Sequence, residues 1–271
     1  MRKLKTSVCG VSVLVGCILL TSNCFPFRKK VKGDGNVITK EIAISDYQAI
    51  RSQGASLKID YTQSNDAPGL TVTVDQNVFE MYDFEVRDGE LRIEPKKTFK
   101  RDQFAPTRFT VVTHSTNLRK VESAGRVEFS VNGPLQTDEL KFSLAGSGTV
   151  NLKESVTARK LDIEMAGSGT LNASALSGET FKGNIAGSGE INLGGRMTSA
   201  SFEIAGSGTV HAFDLQAEDV KCEIAGSGNL EIYANSRIQA NVAGSGKVRY
   251  RGTPSNVDTD IAGSGSVRKA D

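Results

Sequence analysis

From Val121 to Val267 apolar and polar residues alternate in short runs, and the runs break at a recurring tetrapeptide, Ala-Gly-Ser-Gly. Seven copies begin at Ala145, Ala166, Ala186, Ala205, Ala225, Ala243 and Ala262, 18 to 21 residues apart. The positions five, three and one before each Ala are apolar or small, as in Leu140, Phe142 and Leu144 or Val220, Cys222 and Ile224. Five and seven residues after the Ala the pattern resumes, as at Val150 and Leu152 or Leu230 and Ile232. A period of two marks a strand with one buried face, so each repeat predicts strand, glycine corner, strand. About 20 residues cannot bury such a face alone, and a fixed period of that length predicts coils stacked about 4.8 Å apart in an all-β solenoid.

The corner has to turn the chain without splaying the coils above and below it. Glycine reaches positive φ with no Cβ clash. The predicted structural corners are Gly146, Ser147 and Gly148; Gly167, Ser168 and Gly169; Gly187, Ser188 and Gly189; Gly206, Ser207 and Gly208; Gly226, Ser227 and Gly228; Gly244, Ser245 and Gly246; and Gly263, Ser264 and Gly265. The serines fall in a column, where their hydroxyls can bond backbone or one another.

Upstream, Ser123-Ala124-Gly125-Arg126 is a degenerate copy one period before Ala145, and Ser52-Gln53-Gly54-Ala55 is a more distant relative. Between these, residues 71–75, 84–86, 91–93 and 109–113 read as short strands separated by turn signals such as Asp88-Gly89. The expectation is one β-helix domain over 37–271, with regular coils from about 118 to 267 and less regular first coils carrying longer loop excursions.

At the N-terminus Arg2, Lys3 and Lys5 precede an apolar run from Val8 to Leu20, which fits an export signal better than a membrane span. Small residues just before a cysteine at the end of such a run mark a lipoprotein signal. Leu14-Val15-Gly16-Cys17 fits that pattern, giving a leader of residues 1–16; Thr21-Ser22-Asn23-Cys24 is the competing site, giving a leader of 1–23. Residues 24–36 form a basic tether in which Arg28, Lys29, Lys30 and Lys32 can meet anionic lipid head groups.

The formal net charge is +2, from 33 basic and 31 acidic residues. Cleavage after residue 23 removes three basic residues and leaves 30 against 31, a balance that excludes a nucleic-acid-binding role. Of the four cysteines only Cys222 lies in the repeats, at an inward position, so it reads as a small buried apolar side chain and no disulfide scaffold is expected. Arg268 and Lys269 put charge on the last coil, where it blunts an open ladder edge.

The residues offer little catalytic chemistry. The outward column two residues before each Ala reads Ser143, Glu164, Asn184, Glu203, Glu223, Asn241 and Asp260. Glu203 and Glu223 would stack one ladder spacing apart and repel unless a cation or a lysine stands between them; Lys182 and Lys221 on the same face can supply the charge without a metal. No residue is assigned as catalytic, cofactor-binding or metal-ligating. The residue following Gly-Ser-Gly is not the fixed Asp of a calcium-binding nonapeptide repeat, and no lysine and helix follow to make a phosphate-cradling loop. The two histidines, His114 and His211, read as structural, His211 at an outward strand position.

A lipoprotein-type leader, Gly33-Asp34-Gly35-Asn36-Val37, the segment Asp88-Gly89-Glu90-Leu91-Arg92-Ile93 and the Gly-Ser-Gly coils together resemble the auto-transporter adhesin head GIN domain family over roughly Gly33 to Val267. The resemblance implies a right-handed parallel β-helix similar to that of pectin lyases but without catalytic residues, in bacterial envelope proteins with a role in adhesion. The expected function is that of a non-enzymatic lipoprotein of the cell envelope, at the outer membrane, held by its lipid anchor and binding a glycan or a protein through a rigid face. Two other readings share the architecture: a polysaccharide-active enzyme, and a structural or signalling scaffold of the envelope.

Overall fold

The computed structural model describes residues 29–270; Cys17 and Cys24 lie outside them. Of the described residues 73% are strand and 3% helix, and they form a β-solenoid of about 8 turns with coils of about 20 residues. Consecutive coils pair in parallel with every tetrapeptide in register, Ala145 with Ala166, Ala186, Ala205, Ala225, Ala243 and Ala262 in turn.

Alternation places the core as the sequence predicts. Leu161, Ile163 and Met165 before one corner, and Leu171 and Ala173 after it, are all buried. Each coil also has a third ladder segment that the two-strand repeat does not anticipate. After Ala173 the register shifts and resumes at Leu176, and between Gly178 and Thr180 it skips one residue at Glu179. Val156, Leu176, Met197 and Leu215 therefore point inward from a third side and are buried with the rest.

The two corner glycines serve different ends. The first has positive φ in every copy, for example 134° at Gly146 and 130° at Gly187. The second lacks the positive φ and is buried in every coil but the last, and a Cβ there would strike its surroundings: at Gly208 it would lie 2.7 Å from Ile185 Cγ2 and 3.1 Å from the Gly189 oxygen. Between them the exposed serine keeps the ladder running through the bend, since Ser188 N donates to Gly167 O and Ser207 N to Gly187 O, both at 2.9 Å. Of the serine hydroxyls, Ser245 and Ser264 bond each other at 2.9 Å.

The first coils are less regular, as expected, but their excursions are antiparallel strands and not loops. In chain order the strands are β1 (Lys30–Lys32), β2 (Val37–Ala43), β3 (Ala49–Gln53), β4 (Leu57–Gln63), β5 (Gly69–Asp75), β6 (Tyr82–Arg87), β7 (Glu90–Pro95), β8 (Gln103–Ala105), β9 (Phe109–Ser115), β10 (Lys120–Gly125) and β11 (Val127–Val131). The coil formed by β3 and β4 has its corner at Gly54, φ 101°, and lies directly on the coil of β10 and β11. On its other side lie β7 and β9, also parallel. The coil at this end of the stack is thus made of residues later in sequence than the coil beneath it. Strand β6 pairs antiparallel with β7 through the turn Asp88-Gly89, where both residues have positive φ, and β5 and β2 extend the sheet antiparallel from β9.

This end holds most of the aromatic packing. The Tyr82 ring meets Phe104 and Phe109 edge-on with centroids 5.0 and 5.1 Å apart. Asp75, fully buried at the end of β5, accepts hydrogen bonds from Thr107 N at 2.7 Å, Thr107 Oγ1 at 2.6 Å and Gly35 N at 3.0 Å, which ties the β8–β9 connection to the chain before β2. Burial pushes its pKa up, but those hydrogen bonds outweigh it and hold the carboxyl below the usual range.

Candidate functional site

The second ladder segment of each coil, just after the glycine corner, presents one outward residue between its two buried ones. In successive coils that residue is Asn151, Asn172, Asn192, His211, Glu231 and Arg249. Parallel pairing in register brings these side chains into one column, and they bond along it. Asn172 Nδ2 donates to Asn151 Oδ1 at 2.8 Å, and Asn192 Nδ2 to Asn172 Oδ1 at 3.0 Å. The column continues as an ion cluster in which His211 Nδ1 lies 2.8 Å from one Glu231 oxygen and Arg249 Nη1 3.3 Å from the other.

Beside the column the register shift at the next corner sets back the chain, opening a groove of about 620 Å³ lined by Asn151, Asn172, Asn192, His211, Lys153 and Asp214 among others. Its amides are only partly used by one another. Asn151 keeps its amide N–H groups, Asn172 keeps one, and Asn192 keeps its carbonyl oxygen, so donors and acceptors recur at each coil along a fixed line. Just beyond, Phe213 is covered by the guanidinium of Arg251, 4.3 Å from the ring centroid, with Arg249 at 5.7 Å. Sequence reading missed this site, although Asn at the same repeat position in three consecutive coils was a visible signal.

The glutamates that the sequence singled out stand on a different face. Glu203 and Glu223 are ladder partners, stacked as expected. Lys221 Nζ lies 2.7 Å from Glu223. The hydrogen bond and charge of Glu223, opposed by desolvation and aided by Glu203, hold the Lys221 ammonium above the ordinary lysine range. Lys182 does not share this role, standing level with Asp162 and Ser201. A lysine two coils further back, Lys141, binds Glu164 instead, at 2.6 Å, and Ser143 donates to the same carboxylate at 3.0 Å.

The remaining residues that the sequence singled out do not line this groove. Cys222 is a free, fully buried thiol whose pKa desolvation pushes up. The His114 Nε2 lies 2.7 Å from the Ala67 carbonyl oxygen, and His114 stands across from Gly69 at the start of β5. Arg268 and Lys269 are exposed on the last coil.

Comparison with known proteins agrees with this architecture. The chain is 36% identical to a putative lipid binding protein from Parabacteroides distasonis, whose crystal structure superposes with a TM-score of 0.85 over 89% of this chain and 100% of that one. A putative adhesin from Parabacteroides merdae is 30% identical, with a TM-score of 0.81 over 89% of this chain and 99% of its own. Another putative adhesin, from Parabacteroides distasonis, is 34% identical with a TM-score of 0.80 over 89% of this chain and all of its own. No curated protein matches. The profile of the family described as putative auto-transporter adhesin, head GIN domain, matches residues 46–174 and again 142–254. The chain belongs to that family.

Proposed function

We propose that this protein is a non-enzymatic lipoprotein of the cell envelope, at the outer membrane and anchored through Cys17 or Cys24, which binds an extended, hydroxyl-rich ligand of the glycan class along the asparagine groove. The observation that carries the reading is the bonded column Asn151, Asn172 and Asn192 with His211 at its end. Amides that are fixed by one another lose little freedom when a ligand arrives, which lowers the cost of binding. The groove crosses successive coils at a constant spacing of about 4.8 Å, a geometry suited to a repeating polymer. Of the carboxylates that a polysaccharide-cleaving enzyme would use, Glu223 is held by Lys221 in an ion pair and Glu203 stacks beside it, both on another face. Relatives described as adhesins support a binding role.

A glycan array followed by calorimetric titration of the strongest hit tests the reading. Replacing Asn172 and Asn192 by Ala together should weaken binding about tenfold or more, about 1.4 kcal/mol, and Glu203→Gln should leave it unchanged. Release of unsaturated or hydrolysed sugar from acidic polysaccharides, abolished by Glu203→Gln, would overturn it in favour of an enzyme. Protease accessibility on whole cells tells surface display from a periplasmic location.

A further inference from the structure

The two ends of the stack are unlike. At the first, β2, β5 and β6 run antiparallel beside the outer coil. At the other, the strands Asn256–Gly263 and Ser266–Lys269 pair, among the described residues, only with the coil beneath. All eight residues of Asn256–Gly263 are exposed, including Val257 and Ile261 at inward positions, 38% and 40% exposed. An open ladder of this kind is a template for another strand.

Its backbone alternates in a definite phase. Ser264, Ser266 and Ala270 donate their N–H groups to Gly244, Gly246 and Tyr250 of the coil beneath, so Gly265, Val267 and Lys269 turn theirs to the open side. Charge is also segregated about the corner. Before it, Asp258 and Asp260 continue the outward columns of Lys221 and Glu223; after it, Arg268 continues that of Glu231 and Arg249, with Lys269 beside it.

We infer that this end docks on the same end of a second copy of the chain, about a two-fold axis at the Ser264 corner. Such an axis sets each position before Ser264 against the position equally far after it in the other copy, with strands antiparallel. Ile261 then faces Val267 of the second copy as a hydrogen-bonded pair, inward side against inward side. Asp260 faces Arg268 of the second copy as a non-hydrogen-bonded pair, the closer of the two side-chain geometries, and symmetry makes the contact twice. Moving the axis one residue either way would set Asp260 against Ser266 or Ala270 and separate Ile261 from Val267. The charges that repel an unrelated strand thus match this one occupant, and because a two-fold contact uses the same surface on both copies the assembly closes as a dimer.

Analytical ultracentrifugation of the full chain in detergent, with thermal unfolding as the check on folding, tests the inference. A concentration-dependent dimer is expected, weakened about tenfold or more by Asp260→Arg and by Arg268→Asp and restored when both reversals are present. A monomer at every concentration, a dimer indifferent to both single reversals, or single variants that melt like the wild type while the double variant fails to recover the dimer would each overturn it.

Discussion

A Cβ placed on Gly187 would lie 2.5 Å from the carbonyl oxygen of Gly167, its partner one coil below. No real side chain tolerates that approach, and the φ of 130° at Gly187 is itself one that L-residues rarely adopt. The corner is therefore specified twice over, by conformation and by proximity, and the same crowding recurs along the whole column. Gly187→Ala should cost about 2 kcal/mol or more, whereas Ser188→Ala, which removes an exposed hydroxyl and keeps the backbone bonds, should stay within about 0.5 kcal/mol. Urea unfolding of the two variants checks this; equal, small effects would refute the double constraint.

Asp75 links stability to acid. Its folded pKa lies below the unfolded value, so its contribution is present above the unfolded pKa of about 3.9 and is lost as pH falls through the folded one. Protection from hydrogen exchange in β5 and β9, taken relative to the intrinsic rate at each pH, should hold at pH 5 and decline as the pH falls from the unfolded pKa towards the lower folded one. Asp75→Asn should destabilise the protein at neutral pH by about 1 to 3 kcal/mol, and it should flatten the acid dependence.

Lys221 keeps Glu203 and Glu223 compatible. Lys221→Met should lower the melting temperature slightly, by the equivalent of less than about 1 kcal/mol because the pair is half exposed, with the loss shrinking in high salt. Adding Glu203→Gln to that variant should restore the wild-type value. Calcium should leave the wild-type melting temperature unchanged; a rise would show that the two glutamates bind the ion.

Cys222 should resist alkylation until the coils open. Mass-spectrometric mapping of maleimide labelling should find this thiol unmodified in the native protein and modified in denaturant, because it is buried and its pKa is pushed up.

The parts of this structure that repeat locally were legible in the chain. The apolar positions around each Ala-Gly-Ser-Gly fixed which side chains enter the core, and Leu140 through Val248 follow them. The last coil departs because none of the described residues lies above it: Val257 and Ile261 keep the pattern and remain exposed. The third side of each coil stayed hidden because the corners bounding it vary in length and carry polar residues such as Glu179, which break the alternation. The antiparallel strands at the first end were hidden for another reason. Their partners, such as β9 for β5, are set by long-range pairing that no local period records. The asparagine groove needed both the column and the neighbouring corner, and only the folded coil brings these together.

The placement of β7 and β9 outside β3 and β4 gives assembly a direction. As the polypeptide emerges from its N-terminus, the outermost turn cannot be completed until Ser115 is available. From that moment every further turn finds a finished template waiting and needs only residues made within the last 20 or so, so the rod lengthens one rung at a time from a sealed base. Gaining or losing a rung during evolution would change its reach while leaving that base untouched.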